Sequence, residues 1–181
     1  MCIRDRSITT PQNQYKNRLY FVLPNGDYYY YDKHHLFSYG GEDIYYTAGT
    51  ERTVVQYNNI SFLLQTCYDL RFPIWMRNNE DYDAIIVVAN WPKNRRYAWD
   101  ILLRARAIEN QCYVIGSNRI GCDEQCSYDG GSAIVDAKGN ILSIAENSCE
   151  QTITAEIDIQ QLHSFRSKFP VLKDRDKFNI I

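Results

Sequence analysis

The sequence predicts an α/β protein built on a mixed sheet. Three observations carry that class: a continuous apolar run at Asp83–Ala89, an amphipathic period across Arg95–Asn110, and a second buried-type run at Cys112–Ser117. Hairpin signals flank this strand–helix–strand unit on both sides, so the centre of the sheet should be parallel and its margins antiparallel.

The elements run in order along the chain. Arg18–Leu23 and Asp27–Tyr31 are β-prone runs joined by Pro24-Asn25-Gly26, a hairpin signal because Asn-Gly tolerates positive φ. Thr53–Tyr57 and Ile60–Thr66 repeat the arrangement around Asn58-Asn59. The second run ends at Cys67, and Pro73, suited to a first helical turn, marks a helix over Pro73–Asn79. Asp83–Ala89 reads as a strand covered on both faces. In Arg95–Asn110 the apolar residues Ala98, Ile101, Leu102, Ala105 and Ile108 keep the 3.6 period. Ser132–Asp136 and Asn140–Ala145 flank the turn Ala137-Lys138-Gly139, Thr152–Ile157 is a further strand, and Asp158 caps a helix reaching about Phe165. Fifteen tyrosines crowd partly into Tyr28–Tyr31 and Tyr45–Tyr46, read as strands with exposed aromatic faces. The opening Met1–Ser7 carries neither an h-region nor an amphipathic period; it is expected to be a non-native leader that joins nothing. Residues 8–181 are then the C-terminal part of one domain whose natural start lies upstream.

With 45% hydrophobic and 23% charged residues and a net charge of −2, neither nucleic acid nor an anionic membrane is an expected partner. The apolar runs fall far short of the ~20 residues of a membrane-spanning helix. The six cysteines sit in a chain long enough to bury a core without staples, so free thiols in the cytoplasm are expected. Cys122 and Cys126 form a C-x3-C pair with no histidine nearby, and no metal is expected there. No cofactor is expected.

The chemistry concentrates in Leu63–Pro73. A cysteine ending a buried strand just before a helix stands at the carboxyl edge of the sheet, where α/β proteins place reactive groups. A helix N-terminus behind it would favour the thiolate and offer backbone N–H donors to an oxyanion. On position alone a buried cysteine such as Cys67 is more often a small hydrophobe than a nucleophile, and Lys33 reads by default as a solvated lysine after a strand. Arg106 and Glu109, three apart on one helix, read as a structural ion pair.

Cys67-Tyr68-Asp69-Leu70-Arg71-Phe72-Pro73 resembles the nucleophile motif of the nitrilase superfamily of carbon–nitrogen hydrolases. Tyr31-Asp32-Lys33-His34-His35-Leu36-Phe37 is similar to its lysine motif, and Ala89-Asn90-Trp91-Pro92 and Arg104–Gln111 match two further signatures in order. The resemblance runs from about Tyr15 to the C-terminus. Gly41-Glu42, Tyr45–Gly49 and Phe165–Pro170 look most like the omega-amidase branch, whose members convert 2-oxoglutaramate and 2-oxosuccinamate to keto acids and ammonia.

The resemblance implies a four-layer αββα sandwich, incomplete here at the N-terminus, and a homodimeric parent; the helix Arg95–Asn110 suits such an interface and, from sequence alone, equally suits covering its own sheet. It implies Cys67 as nucleophile forming an acyl-enzyme. Lys33, with the backbone N–H of Tyr68, would stabilise the oxyanion, and Glu42 would orient lysine and water. Asn90 and Trp91 would line the substrate pocket. Arg71 is available to a substrate carboxylate. The superfamily's first glutamate, its general base, has no counterpart in this chain, so impaired turnover is expected. Other amides, carbamoyl amines or nitriles as substrates, or an inactive interaction domain, are the alternatives.

Overall fold

Chain direction in the centre of the sheet is set by the helix that returns it. β5 (Ile60–Thr66), β6 (Ala84–Ala89) and β7 (Tyr113–Asn118) run parallel, and α3 (Arg96–Asn110) crosses between β6 and β7. β4 (Val54–Tyr57), β10 (Ala133–Val135) and β11 (Ile141–Ile144) add antiparallel margins, giving the order β11-β10-β7-β6-β5-β4. The structure is a computed structural model that describes residues 2–179, with side chains described from Ser7 onward.

A second sheet, β1 (Cys2–Thr9), β2 (Tyr15–Val22) and β3 (Tyr28–Asp32), is antiparallel throughout. It covers one face of the large sheet while α3 covers the other. The pleat sorts the core between them: Leu63, Ile85, Val87 and Val114 pack with Trp99, Leu103 and Ala107 of α3. Phe62, Leu64, Ile86 and Val88 face Leu19, Phe21 and Tyr31 of the small sheet. Each of these side chains contributes roughly 1.5–3 kcal/mol by leaving water. The exchange from one face to the other at every residue is the period-two geometry of a strand.

Both predicted hairpin turns form. Asn58 and Asn59 adopt φ of 49° and 62°, the double positive φ of a type I′ turn, and Gly26 takes φ 92° after Pro24-Asn25. Asp158 caps α4 (Ile159–Lys168) through Oδ1 accepting from Gln161 N at 2.8 Å. Arg106 pairs with Glu109 at 3.0 Å, as the spacing predicts.

Several expectations need correction. Residues 2–7 of the expected leader do join the fold, while Met1 lies outside the described residues. β1 pairs with β2 from Cys2↔Val22 to Thr9↔Tyr15, because a ladder is closed by backbone groups whatever the side chains carry. The helix at Pro73 is one turn, α2 (Pro73–Met76); beyond it Asn78 enters the core, its amide donating to Tyr82 O at 3.1 Å and Asn110 O at 3.0 Å. Thr152–Ile157 forms no strand. Its alternation survives in half-buried Ile153, Ala155 and Ile157, but no neighbouring ladder accepts its backbone among the described residues. Tyr45 closes α1 (Glu42–Tyr45) instead of lying in a strand.

The buried face of α3 is also rotated from the predicted stripe. Trp99, Leu103, Arg106, Ala107 and Asn110 are buried, whereas Ile101 and Ile108 are 48% and 51% exposed. Apolar residues occupy more of this helix than one sheet can cover, and the bulk of Trp99 decides which arc is taken. Gly116 makes that possible: a Cβ there would lie 2.8 Å from both Trp99 and Leu103.

Candidate active site

The site stands at the carboxyl edge of the parallel strands and at the end of β3. Immediately after β3, the Lys33 backbone is held on both sides, its N–H donating to Asn17 O at 2.9 Å and its carbonyl accepting from Gly49 N at 2.8 Å. The side chain is only 4% exposed, and Nζ lies 2.5 Å from Glu42 Oε2. Glu42 opens α1 and accepts two more bonds, from Phe37 N at 2.6 Å and Asn17 Nδ2 at 2.9 Å. Burial works against its ionisation, but Lys33 and these donors together hold the carboxyl below its usual range.

Thr66 ends β5, and Cys67 begins a 3₁₀ turn, Cys67–Arg71. Cys67 has φ 46°, a left-handed conformation that costs a non-glycine residue of order 1–3 kcal/mol. Its Sγ donates to Asn90 O at 3.9 Å. The turn is anchored by Asp69, which is fully buried and accepts from Thr66 N (3.2 Å), Tyr31 OH (2.9 Å), His35 N (2.8 Å) and His35 Nδ1 (2.9 Å). Asp69 therefore ties the lysine-bearing segment to the cysteine-bearing turn. His34 stacks on Trp75 and His35 on Phe72, each at 3.7 Å, closing the same junction with aromatic faces.

After β6 the chain presents Asn90 and Trp91. Asn90 is exposed, while Trp91 is buried, with its N–H donating to Asn118 Oδ1 at 2.7 Å and its indole Nε1 to Arg95 O at 2.8 Å. The guanidinium of Arg71 lies 4.9 Å from the Trp91 ring. Tyr68 is half-buried, edge-on to Phe37 and Phe72.

All six residues singled out from sequence (Cys67, Lys33, Glu42, Tyr68, Asn90 and Trp91) line one cavity of about 270 Å³. That is room for a small substrate. Sequence reasoning missed the Asp69–Tyr31–His35 junction, although an aspartate two residues after the cysteine was visible. It also missed Asn17, Arg95 and the hairpin of β8 (Ile120–Cys122) and β9 (Ser127–Asp129), which brings Cys126 and Tyr128 to the cavity. No sequence-local signal marks those. Among the described residues no cluster of three metal-ligating side chains occurs; Cys122 is exposed and Cys126 half-buried.

One expectation is reversed. Burial pushes the Cys67 thiol up to about 11, with Lys33 pulling the other way and prevailing only in part. A single 3₁₀ turn behind the cysteine offers few aligned peptide dipoles, so the thiolate is not favoured as a long helix would favour it.

Comparison with known proteins bears on this arrangement. The carbon–nitrogen hydrolase family profile matches residues 1–167. The chain is 47% identical over 166 residues to omega-amidase YafV of Yersinia enterocolitica, covering 91% of this chain and 65% of that protein. It is 38% identical over 147 residues to 2-oxoglutaramate amidase of Bacillus subtilis (strain 168), covering 80% and 56%. The chain thus spans less than two thirds of the length of these curated relatives. Its fold superposes with a TM-score of 0.94 on XC1258 from Xanthomonas campestris, a CN-hydrolase superfamily protein with an arsenic adduct in its active site. That structure is 41% identical, with 98% of this chain and 70% of that chain covered.

Proposed function

The chain belongs to the carbon–nitrogen hydrolase family, and on that premise we propose that it acts as an omega-amidase. It would convert 2-oxoglutaramate or 2-oxosuccinamate to the keto acid and ammonia through a Cys67 acyl-enzyme. The observation that carries this reading is the convergence of Cys67, on its strained turn, and the Lys33–Glu42 pair on one small cavity. The omega-amidase and 2-oxoglutaramate amidase relatives support the substrate class.

In the proposed reaction Cys67 Sγ attacks the amide carbon. The Lys33 ammonium and the Tyr68 backbone N–H receive the oxyanion, a role in which one lost donor typically costs ~10²–10³ in rate. The thiol proton passes to the departing nitrogen, ammonia leaves, and water hydrolyses the thioester. Glu42 holds Lys33 in place and orients it, and Asn90 and Trp91 contact the substrate. Glu42 is the one carboxylate lining the cavity among the described residues, and it is already bound by three donors. It is therefore a poor acceptor for the thiol proton. With the thiol held at about 11, this favours a second reading in which the chain binds amides but turns them over slowly at neutral pH.

We further propose a cytoplasmic protein that forms a homodimer. The exposed Tyr97, Ile101 and Ile108 on α3 support a subunit contact, and free cysteines suit a reducing compartment. No helix among the described residues is long and apolar enough to cross a membrane.

The test is ammonia release from 2-oxoglutaramate by the chain and its Cys67→Ala variant between pH 7 and 10. The variant should lose on the order of 10³-fold or more. Equal activity in both, or no release from this substrate while another amide is hydrolysed, removes the omega-amidase reading.

A further inference from the structure

We propose that Arg95 is a specificity-determining residue of this cavity, reading a carboxylate on the substrate at the end away from its amide. The inference rests on the amidase reading above and assigns a residue to the recognition of an anionic amide.

Charge is the first ground. Among the described residues the cavity is lined by three cations, Lys33, Arg71 and Arg95, and by the single carboxylate of Glu42. Glu42 is taken up by Lys33 at 2.5 Å. Among the described residues neither Arg71 nor Arg95 pairs with a carboxylate. Two guanidinium groups left without counter-charge around a small cavity make it selective for an anion.

Position is the second ground. Arg71 rises from the same 3₁₀ turn as Cys67 and lies against Trp91. Arg95 comes from another element, the turn Lys93–Arg95 after β6. Its backbone is fixed at both ends, N–H to Pro92 O at 3.0 Å and carbonyl to the buried Trp91 indole at 2.8 Å. From there its guanidinium reaches to 5.3 Å from the ring of Phe37, whose own N–H holds Glu42. A half-buried arginine with an anchored backbone, a ring against one face and no acceptor for its guanidinium among the described residues is pre-organised for planar, bidentate binding of a carboxylate. The chemical class that fits is a short amide bearing a carboxylate.

The experiment uses the full chain with Cys67→Ala to silence chemistry. Calorimetric affinities are compared for succinamate and for 4-methylpentanamide, in which an isopropyl group replaces the carboxylate. Adding Arg95→Gln should weaken succinamate ~10–100-fold, the scale of one charge-assisted hydrogen-bond pair, and leave the neutral isostere within about twofold. Arg95→Lys should regain part of the loss. Unfolding curves of every variant are recorded alongside.

Equal losses for both ligands, unchanged succinamate binding, or binding of neither ligand by Cys67→Ala overturns the proposal. A wild-type chain that hydrolyses neither 2-oxoglutaramate nor succinamate but keeps the predicted binding pattern overturns the amidase reading and leaves Arg95 as an anion reader. Hydrolysis of succinamate with the same KM in the wild-type and Arg95→Gln chains does the reverse.

Discussion

Lys33 Nζ and Glu42 Oε2 lie 2.5 Å apart, joining the residue after β3 to the first residue of a one-turn helix. Lys33 is almost wholly buried, so Glu42 neutralises a cation that has nowhere else to discharge. Removing one member of such a pair typically costs about 3–5 kcal/mol, because the other is left buried and uncompensated.

Glu42→Gln should therefore destabilise the chain by that order at pH 7. Because the folded chain holds the Glu42 carboxyl below 4.5, its stabilising contribution is complete above that pH and is lost as acid protonates it. Urea unfolding at pH 7 and 3.5 measures both effects. The variant should lack this part of the acid sensitivity, and an unchanged acid limb would mean that the pair contributes nothing.

Cys67 should alkylate slowly at neutral pH and about tenfold faster per pH unit from 7 to 10, since only the thiolate reacts and the thiol lies at about 11. Lys33→Met removes the cation that pulls this value down, so its Cys67 should react more slowly throughout that range. Peptide mapping after timed iodoacetamide pulses separates Cys67 from the exposed Cys122 and Cys149. A rate plateau below pH 9 would contradict the placement of the thiol.

Asp69→Asn replaces a buried acceptor of four hydrogen bonds with a group that presents two donors to them. A loss of about 2–4 kcal/mol is expected, whereas Tyr31→Phe, which removes one of those donors, should cost about 1–2 kcal/mol. Denaturant unfolding gives the order. If Tyr31→Phe is the more damaging, the junction is held mainly by the Tyr31 hydroxyl, which also accepts from Trp75 Nε1 at 3.0 Å and His34 N at 3.2 Å.

Gly49→Ala should cost more than Gly116→Ala. A Cβ at Gly49 meets the backbone oxygen of Asp32 at 2.1 Å, so the strand end that delivers Lys33 must move. At Gly116 the obstacles are the side chains of Trp99 and Leu103 at 2.8 Å, which yield at an overpacking cost of about 1–3 kcal/mol. Melting temperatures of the two variants decide the order.

The sequence by itself determined whatever depends on neighbours along the chain. Asn58, Asn59 and Gly26 turn the chain because their own backbones accept positive φ, and Asp158 caps because its side chain reaches Gln161 three residues on. The apolar runs at β6 and β7 with α3 between them require a parallel pair. The motifs around Lys33, Glu42, Cys67 and Asn90-Trp91 also pointed to one site, and those residues do line one cavity.

Tertiary structure decided what depends on partners distant in sequence. Thr152–Ile157 has a strand's alternation and no ladder, because pairing needs a neighbour and not a pattern. Apolar residues surround much of α3, so the space above Gly116 chose the arc of Trp99 and Leu103. Asp69 gathers donors from Tyr31 and His35 across more than thirty residues. The Cys67 thiol is set by how deeply its sulfur lies and how near Lys33 comes. Burial and charge act through space, and only the folded chain fixes those distances.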